Sequence, residues 1–198
     1  MSTKRPTLIL ASNNKSKLRE FQQLLGSRWI IQPQSQLGVT ETEEPAKTFA
    51  ENALLKARHA CHHTKLPALA DDSGLSVPAL GGEPGLKSAR YSGGNDEANN
   101  SLLLRNMRGL EGADRSAFFV AVLVLMQHAE DPSPIIAEGR WLGEIAMAPR
   151  GGGGFGYDPV FVPKGVRMRA AEMSPEEKNH KSHRGLAVRR LLEQLPKL

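Results

Sequence analysis

Pro67-Ala68-Leu69-Ala70-Asp71-Asp72-Ser73-Gly74-Leu75-Ser76-Val77 sets two adjacent carboxylates inside an otherwise apolar run. Residues 67–70 read as a short buried strand, with Asp71 and Asp72 at its end. Ser73-Gly74 then reads as a turn, and Leu75-Ser76-Val77 as the start of another strand. Two negative charges side by side at the edge of a core are costly unless something positive joins them. A divalent metal, a lysine or both meet that need. A solvated turn is the other reading, because all four residue types of Asp-Asp-Ser-Gly favour turns.

Upstream, Thr7-Leu8-Ile9-Leu10-Ala11 reads as a buried first strand that runs into Ser12-Asn13-Asn14-Lys15-Ser16-Lys17. Leu18, Phe21 and Leu25 follow at helical spacing, and Gly26 is a plausible stop. Residues 12–17 are thus a strand-to-helix turn, with Asn13 or Asn14 as cap. Lysines in a first helical turn oppose the helix dipole, so a bound phosphate would relieve a local conflict. An ordinary capped helix with surface lysines is the alternative. Trp29-Ile30-Ile31 reads as a second strand. An acidic loop, Glu41 to Pro45, precedes a helix opened by the capping box Thr48-Phe49-Ala50-Glu51. Lys56 projects near the apolar side made by Phe49, Ala53, Ala57 and Ala60, so it either snorkels or meets a buried anion; Asn52 shares its flank.

Downstream, Leu80 to Gly93 is rich in glycine and reads as a long loop, followed by a helix from Glu97 to Leu110. Ala117–Gln127 and Pro134–Ile145 read as paired antiparallel strands. Between Pro149 and Pro159, four consecutive glycines permit a backbone that approaches something closely. Phe155 and Tyr157 on that loop are candidates to stack on a flat ring, and Asp158 to accept from a base or a lysine. Val160-Phe161-Val162 reads as a strand. Ser174-Pro175-Glu176-Glu177 caps a final helix that carries Lys178, Lys181, Ser182, His183 and Arg184, with Gly185 leaving room for another backbone.

The chain has 198 residues, a formal charge of +5 and a single cysteine, Cys61. That length suits one domain, or one domain with lobes. The charge suits an anionic ligand. The basic residues are scattered and aromatics scarce, which argues against a nucleic-acid binder. One cysteine excludes an internal disulfide and a cysteine-based zinc site. The most apolar run, Phe118–Met126, is too short to span a bilayer as a helix. No signal-peptide pattern is present, and a cytoplasmic location is expected.

Seven stretches in register carry a resemblance. They are Ser12-x-Asn14-x-x-Lys17, Glu43-Glu44, Phe49-x-Glu51-Asn52-Ala53-x-x-Lys56-Ala57, Ala70-Asp71-Asp72-Ser73-Gly74, Pro84-Gly85 with Ser88-Ala89-Arg90-Tyr91, Gly154-Phe155-Gly156-Tyr157-Asp158-Pro159, and Ser182-His183-Arg184-Gly185. Together they resemble the inosine triphosphate pyrophosphatase family, and its bacterial branch most closely, over essentially the whole chain. The resemblance implies an elongated α/β fold with a long twisted mixed sheet, flanking helices, two lobes and an active-site cleft between them, usually as a homodimer. It implies Mg²⁺-dependent hydrolysis of ITP, dITP and XTP to the monophosphate and pyrophosphate, which removes deaminated purines from the nucleotide pool. Carried onto this chain, Ser12, Asn13, Asn14, Lys15, Ser16 and Lys17 contact substrate, and Lys56 holds phosphate in the catalytic group. Glu43 and Asp72 hold the metal, with Glu44 and Asp71 as alternates. Asp72 also orients or deprotonates the attacking water. Ser73 bonds the triphosphate or sugar. Phe155, with Gly156 and Tyr157 beside it, stacks on the base, and Asp158, Lys178, His183 and Arg184 read its polar edge. The rival readings are a magnesium phosphohydrolase that releases phosphate and a basic nucleic-acid-binding module.

Overall fold

The computed structural model describes residues 5–195. Strands β1 (Thr7–Leu10), β2 (Ile30–Pro33), β3 (Ala68–Ser76), β4 (Ser116–Met126), β5 (Ile135–Ile145) and β6 (Phe161–Pro163) form one mixed sheet in the order β2-β1-β3-β4-β5-β6. β1 runs parallel to β2 and to β3, with Thr7 opposite Ile30 and Ile9 opposite Ala68; β5 and β6 are antiparallel. Helices α1 (Lys15–Leu25), α2 (Phe49–Thr64), α3 (Asp96–Asn106), α4 (Pro175–Lys181) and α5 (His183–Glu193) flank it. The expected mixed α/β architecture is what the chain adopts. Among the described residues no helix is long and apolar enough to cross a membrane.

Two compact units divide the chain. The first holds the described residues through Asp72, Val122–Glu138, and those from Ala187 on; the second holds Ser73–Ala121 and Gly139–Leu186. Each has its own core. In the first, Ala53, Ala57, Ala60 and Cys61 of α2 pack on Ile9, Ala68, Ala70, Val124 and Met126. Alanines along one helix face let the backbone of α2 lie close to the sheet, and Cys61 is buried there as a small apolar residue. In the second, Phe119, Trp141 and Phe161 pack with Leu75, Leu103, Met107 and Tyr157. Phe119 meets Phe161 edge to face at 4.7 Å between ring centroids.

Two expectations change. Residues 68–76 are one continuous strand, with no Ser-Gly turn after the aspartates. Asp71 and Asp72 are both buried within it, because a lysine is ion-paired to each, so the charges that called for a turn are met in the sheet. The C-terminal helix is two helices, not one. Ser182 is extended (φ −68°, ψ 162°) and breaks it, and its hydroxyl accepts from the Gly185 N–H to open α5.

Candidate active site

β1 ends at Leu10, and the last of its ladder bonds runs from the Ala11 N–H to the Leu69 carbonyl at 2.9 Å. From Asp71 onward, β3 has no β1 backbone beside it to fill its hydrogen bonds. Lysines fill them instead. The Asp71 carbonyl accepts from Lys56 Nζ at 2.9 Å and from Lys17 Nζ at 3.4 Å. Successive strand side chains point to opposite faces, so the two carboxylates are met by different partners. Lys17 Nζ lies 2.7 Å from Asp71 Oδ2, and Lys56 Nζ lies 2.9 Å from Asp72 Oδ1. Lys56 also donates to Glu44 Oε1 at 2.7 Å, and Asn52 Nδ2 reaches Asp72 Oδ2 at 3.4 Å. The end of a strand in an α/β sheet is where such folds place ligands.

The helices deliver these groups by local rules. Asn14 caps α1, its Oδ1 accepting from Ser16 N at 2.9 Å and Lys17 N at 3.0 Å. That places Lys17 in the first turn, over the end of β1. Thr48 caps α2 by accepting from Glu51 N, and Glu51 reaches back to the Thr48 hydroxyl at 2.7 Å. Asn52 and Lys56 follow on α2, four residues apart. Burial pushes the Asp72 carboxyl above the usual carboxylate range, and the nearby Lys56 charge draws it only part of the way back. Burial works against the Lys56 charge too, but Asp72 and Glu44 outweigh it and hold the ammonium above its ordinary value. Lys56 is therefore a fixed cation, and Asp72 a carboxylate with unusual affinity for a proton.

A second group lies in the other unit. Asp158 is buried, and its Oδ2 accepts from Lys178 Nζ at 2.5 Å and from the Phe155 N–H at 2.9 Å. Lys178 Nζ sits 4.8 Å from the centre of the Phe155 ring, and the Arg184 guanidinium 5.7 Å from it. Arg184 is 1% exposed and donates from Nη2 to Ser73 Oγ at 3.0 Å. His183 stacks on Phe119 at 4.7 Å with the rings 10° apart. A side chain at Gly154 would meet Asp158 Oδ2 at 2.0 Å, and its φ of +71° favours glycine as well. The glycine run thus lets the loop fold tightly over its own aspartate. The result is a half-buried aromatic ring with two buried cations on it, a surface suited to a flat, electron-rich, oxygen-bearing partner.

Comparison with known proteins places the chain. A family model described as the Ham1 family matches residues 8–194. The chain belongs to the Ham1 family. Among relatives, it is 53% identical over 191 residues to a protein of Thioalkalivibrio sulfidiphilus named dITP/XTP pyrophosphatase, covering 95% of this chain and 97% of that one. One of Idiomarina loihiensis with the same name is 51% identical over 198 residues, covering 96% and 98%. Among solved structures, a HAM1 protein from Coxiella burnetii superposes with a TM-score of 0.86 at 46% identity, covering 94% of this chain and 96% of that one. The Staphylococcus aureus Ham1 protein gives 0.83 at 36% identity.

In this Ham1 chain the expected site residues fall into distinct places. Lys17, Lys56, Asp71 and Asp72 come together, and Glu44 joins them. Glu43, the expected ligand, is exposed, with no hydrogen bond or ion pair to this group; it is Glu44 that shares Lys56 with Asp72. Ser12 accepts from the Asn14 N–H at 3.2 Å, and the Asn13 N–H donates to Glu41 Oε1. Asn13, Asn14 and Lys15 are exposed, and Ser16 is half-buried. Phe155, Asp158, Lys178 and Arg184 converge, with Ser73 on Arg184. Tyr157 does not present a ring for stacking. It is buried in the core with its hydroxyl donating to the Ser88 carbonyl at 2.9 Å, and burial raises its pKa. Gly156 is held through its backbone by Asp96 and Asn100, two residues the sequence reading passed over. Adjacent asparagines inside a helix, where asparagine is a poor helix former, were the available signal.

Proposed function

We propose that this protein hydrolyses the deaminated purine nucleoside triphosphates ITP, dITP and XTP to the monophosphate and pyrophosphate. The observation that carries this is the ion-paired group of half-buried Lys56 and Glu44 with buried Asp72, in a chain whose full-length relatives are named for that reaction. Water adds to the α-phosphorus, the bond from that phosphorus to the bridging oxygen breaks, and pyrophosphate leaves with the electron pair.

Lys17 and Lys56 supply positive charge to the triphosphate, with the positive dipole end of α1 beside them. Asp72 orients the attacking water and takes its proton. Its raised proton affinity in the folded chain suits a carboxylate to that role. Most of the rate then comes from positioning and fixed charge.

The residues fit a magnesium ion by donor chemistry. Glu44 and Asp72 are hard oxygen donors that share one ammonium, and three carboxylates (Glu44, Asp71, Asp72) stand against two lysines. Among the described residues no three acidic, histidine or cysteine side chains form a ready cage, and magnesium needs none. One or two carboxylates, waters and substrate phosphates suffice. When bound, the ion would neutralise charge on the phosphates.

Phe155 stacks on the base, with Lys178 and Arg184 as fixed donors near its oxygen-bearing edge. Hypoxanthine and xanthine carry an oxygen at position 6, whereas adenine carries an amino donor. A buried donor facing a donor is costly, so ATP is rejected. A homodimer and a cytoplasmic setting complete the reading. Light scattering is expected to give twice the 21.6 kDa mass of the chain. Turnover of ITP in ¹⁸O-water tests the cleavage position. The label is expected in the inosine monophosphate; label in released phosphate, with no pyrophosphate formed, would contradict it.

A further inference from the structure

The loop that presents Phe155 is gripped from α3, a helix with no part in either ion-paired group. Asp96 stands at the first position of α3 and Asn100 one turn later. Asp96 Oδ2 accepts from the Gly156 N–H at 2.6 Å. Asn100 Nδ2 donates to the Gly156 carbonyl at 2.9 Å, and at the same distance to the Asp96 carbonyl. Two side chains four apart on one helix therefore hold both polar groups of a single backbone residue, and that residue adjoins Phe155.

Gly156 is a joint that needs holding. It has φ +62°, and Gly154 on the other side of Phe155 has φ +71°. Glycines populate many backbone conformations, so a ring placed between two of them has no fixed direction unless the backbone is pinned. Asn100 is 7% exposed although asparagine gains little inside a helix, which points to a job for its amide. Its neighbour Asn99 makes similar bonds to the preceding loop, accepting from Ser92 N at 2.8 Å and Ser92 Oγ at 2.7 Å and donating to the Ala89 carbonyl at 3.3 Å. The polar start of α3 thus fastens two loops.

We infer that Asp96 and Asn100 are positioning residues for Phe155: by fixing the Gly156 backbone they set the ring against which a purine stacks, and so set affinity for the base. This rests on the reading that Phe155 stacks on the base. A ring already held in place loses less freedom when the base arrives, so the expected effect lies in KM.

The test is a double-substitution cycle on the full chain, read as pyrophosphate release from ITP. Asn100→Ala is expected to lower kcat/KM about tenfold, mostly through KM, since small misplacements of positioning groups cost about that much or more. In a Phe155→Ala background, the same substitution should change kcat/KM less than about twofold, because its route of action is gone. Asp96→Ala should behave like Asn100→Ala, and Asp96→Asn, which keeps an acceptor oxygen, should restore most of the loss. A role confined to stability would lower Tm in every background while leaving the cycle additive. Equal losses with and without Phe155, or no loss at all, would overturn the inference. Should Asn100→Ala fail to fold, the exposed Asp96 pair decides alone. Should wild type release no pyrophosphate, the substrate reading fails instead. Hydrogen exchange at the Gly156 amide then decides the inference: faster exchange in Asp96→Ala supports the grip, and unchanged exchange ends it.

Discussion

Asp71 and Asp72 show how one strand can carry two charges into a core. Each is met by a lysine from a different helix, and the carbonyl between them takes both ammonium groups. The sequence identified the need for a positive partner and named lysine among the candidates. It could not say which lysine served which aspartate, since Lys17 is 54 residues from Asp71 and Lys56 is 16 from Asp72. Nor did the sequence separate Glu43 from Glu44, of which Glu44 pairs with Lys56. In an irregular loop, neighbouring carboxylates have no periodicity to tell them apart. At this scale the role of Asp72 is directly testable. Asp72→Asn keeps the size and one acceptor oxygen but cannot take a proton from water. Turnover of ITP should fall about 10²- to 10⁴-fold, the range for a lost general base. Nucleotide binding measured by calorimetry should persist. Full turnover in this variant would remove Asp72 from the chemistry.

Elements were legible where packing is local. The long apolar, β-branched run at 117–127 and its partner at 134–145 mark β4 and β5 to within a residue or so, and the caps at Asn14, Thr48 and Ser174 place three helix starts. What failed was continuity, at β3 and at the break between α4 and α5, because each is decided by distant contacts. Gly185 marks that break. A side chain there would meet the Asn179 carbonyl of α4 at 1.7 Å, so Gly185→Ala should destabilise the fold by about 3 kcal/mol or more through overpacking. Chemical denaturation with an unchanged midpoint would show that the helices can part freely. The turn joining β4 to β5 offers a pH test. Asp131 accepts from the Gln127 and Ser133 N–H groups, each at 2.9 Å, and those bonds hold its carboxyl below the ordinary value of 3.8. A folded pKa below the unfolded one means stability that is present above the unfolded value and lost as pH falls through the folded one. Asp131→Ala should therefore cost about 1 kcal/mol at pH 7, kept small by solvent around the carboxylate. The gap to wild type should narrow as pH falls below the ordinary value of 3.8 and close once the folded carboxyl is protonated too. A gap that stays constant down to pH 2 would show that the charge has no part in it.

Across the whole molecule, the mixed α/β sheet with flanking helices and the Ham1 membership agree with what seven short motifs implied. Each motif alone is weak, because Asp-Asp-Ser-Gly or a glycine run has ordinary uses in turns and loops. Their order gives them force. The motifs divide between the units, with the strand-end lysines and carboxylates in one and Phe155, Asp158, Lys178 and Arg184 in the other. Grips such as that of Asp96 and Asn100 escaped the sequence, because a side chain holding a distant backbone leaves no spacing to read. The measurement that tests the account most directly is pyrophosphate release from ITP and XTP against ATP, at equal concentration with magnesium present. Release from ITP and XTP at rates at least about 10²-fold above ATP is predicted, as a site built to meet an oxygen should refuse an amino group by that much or more. Equal release from ATP would contradict the reading of the base, and no pyrophosphate from any of the three would contradict the proposed reaction.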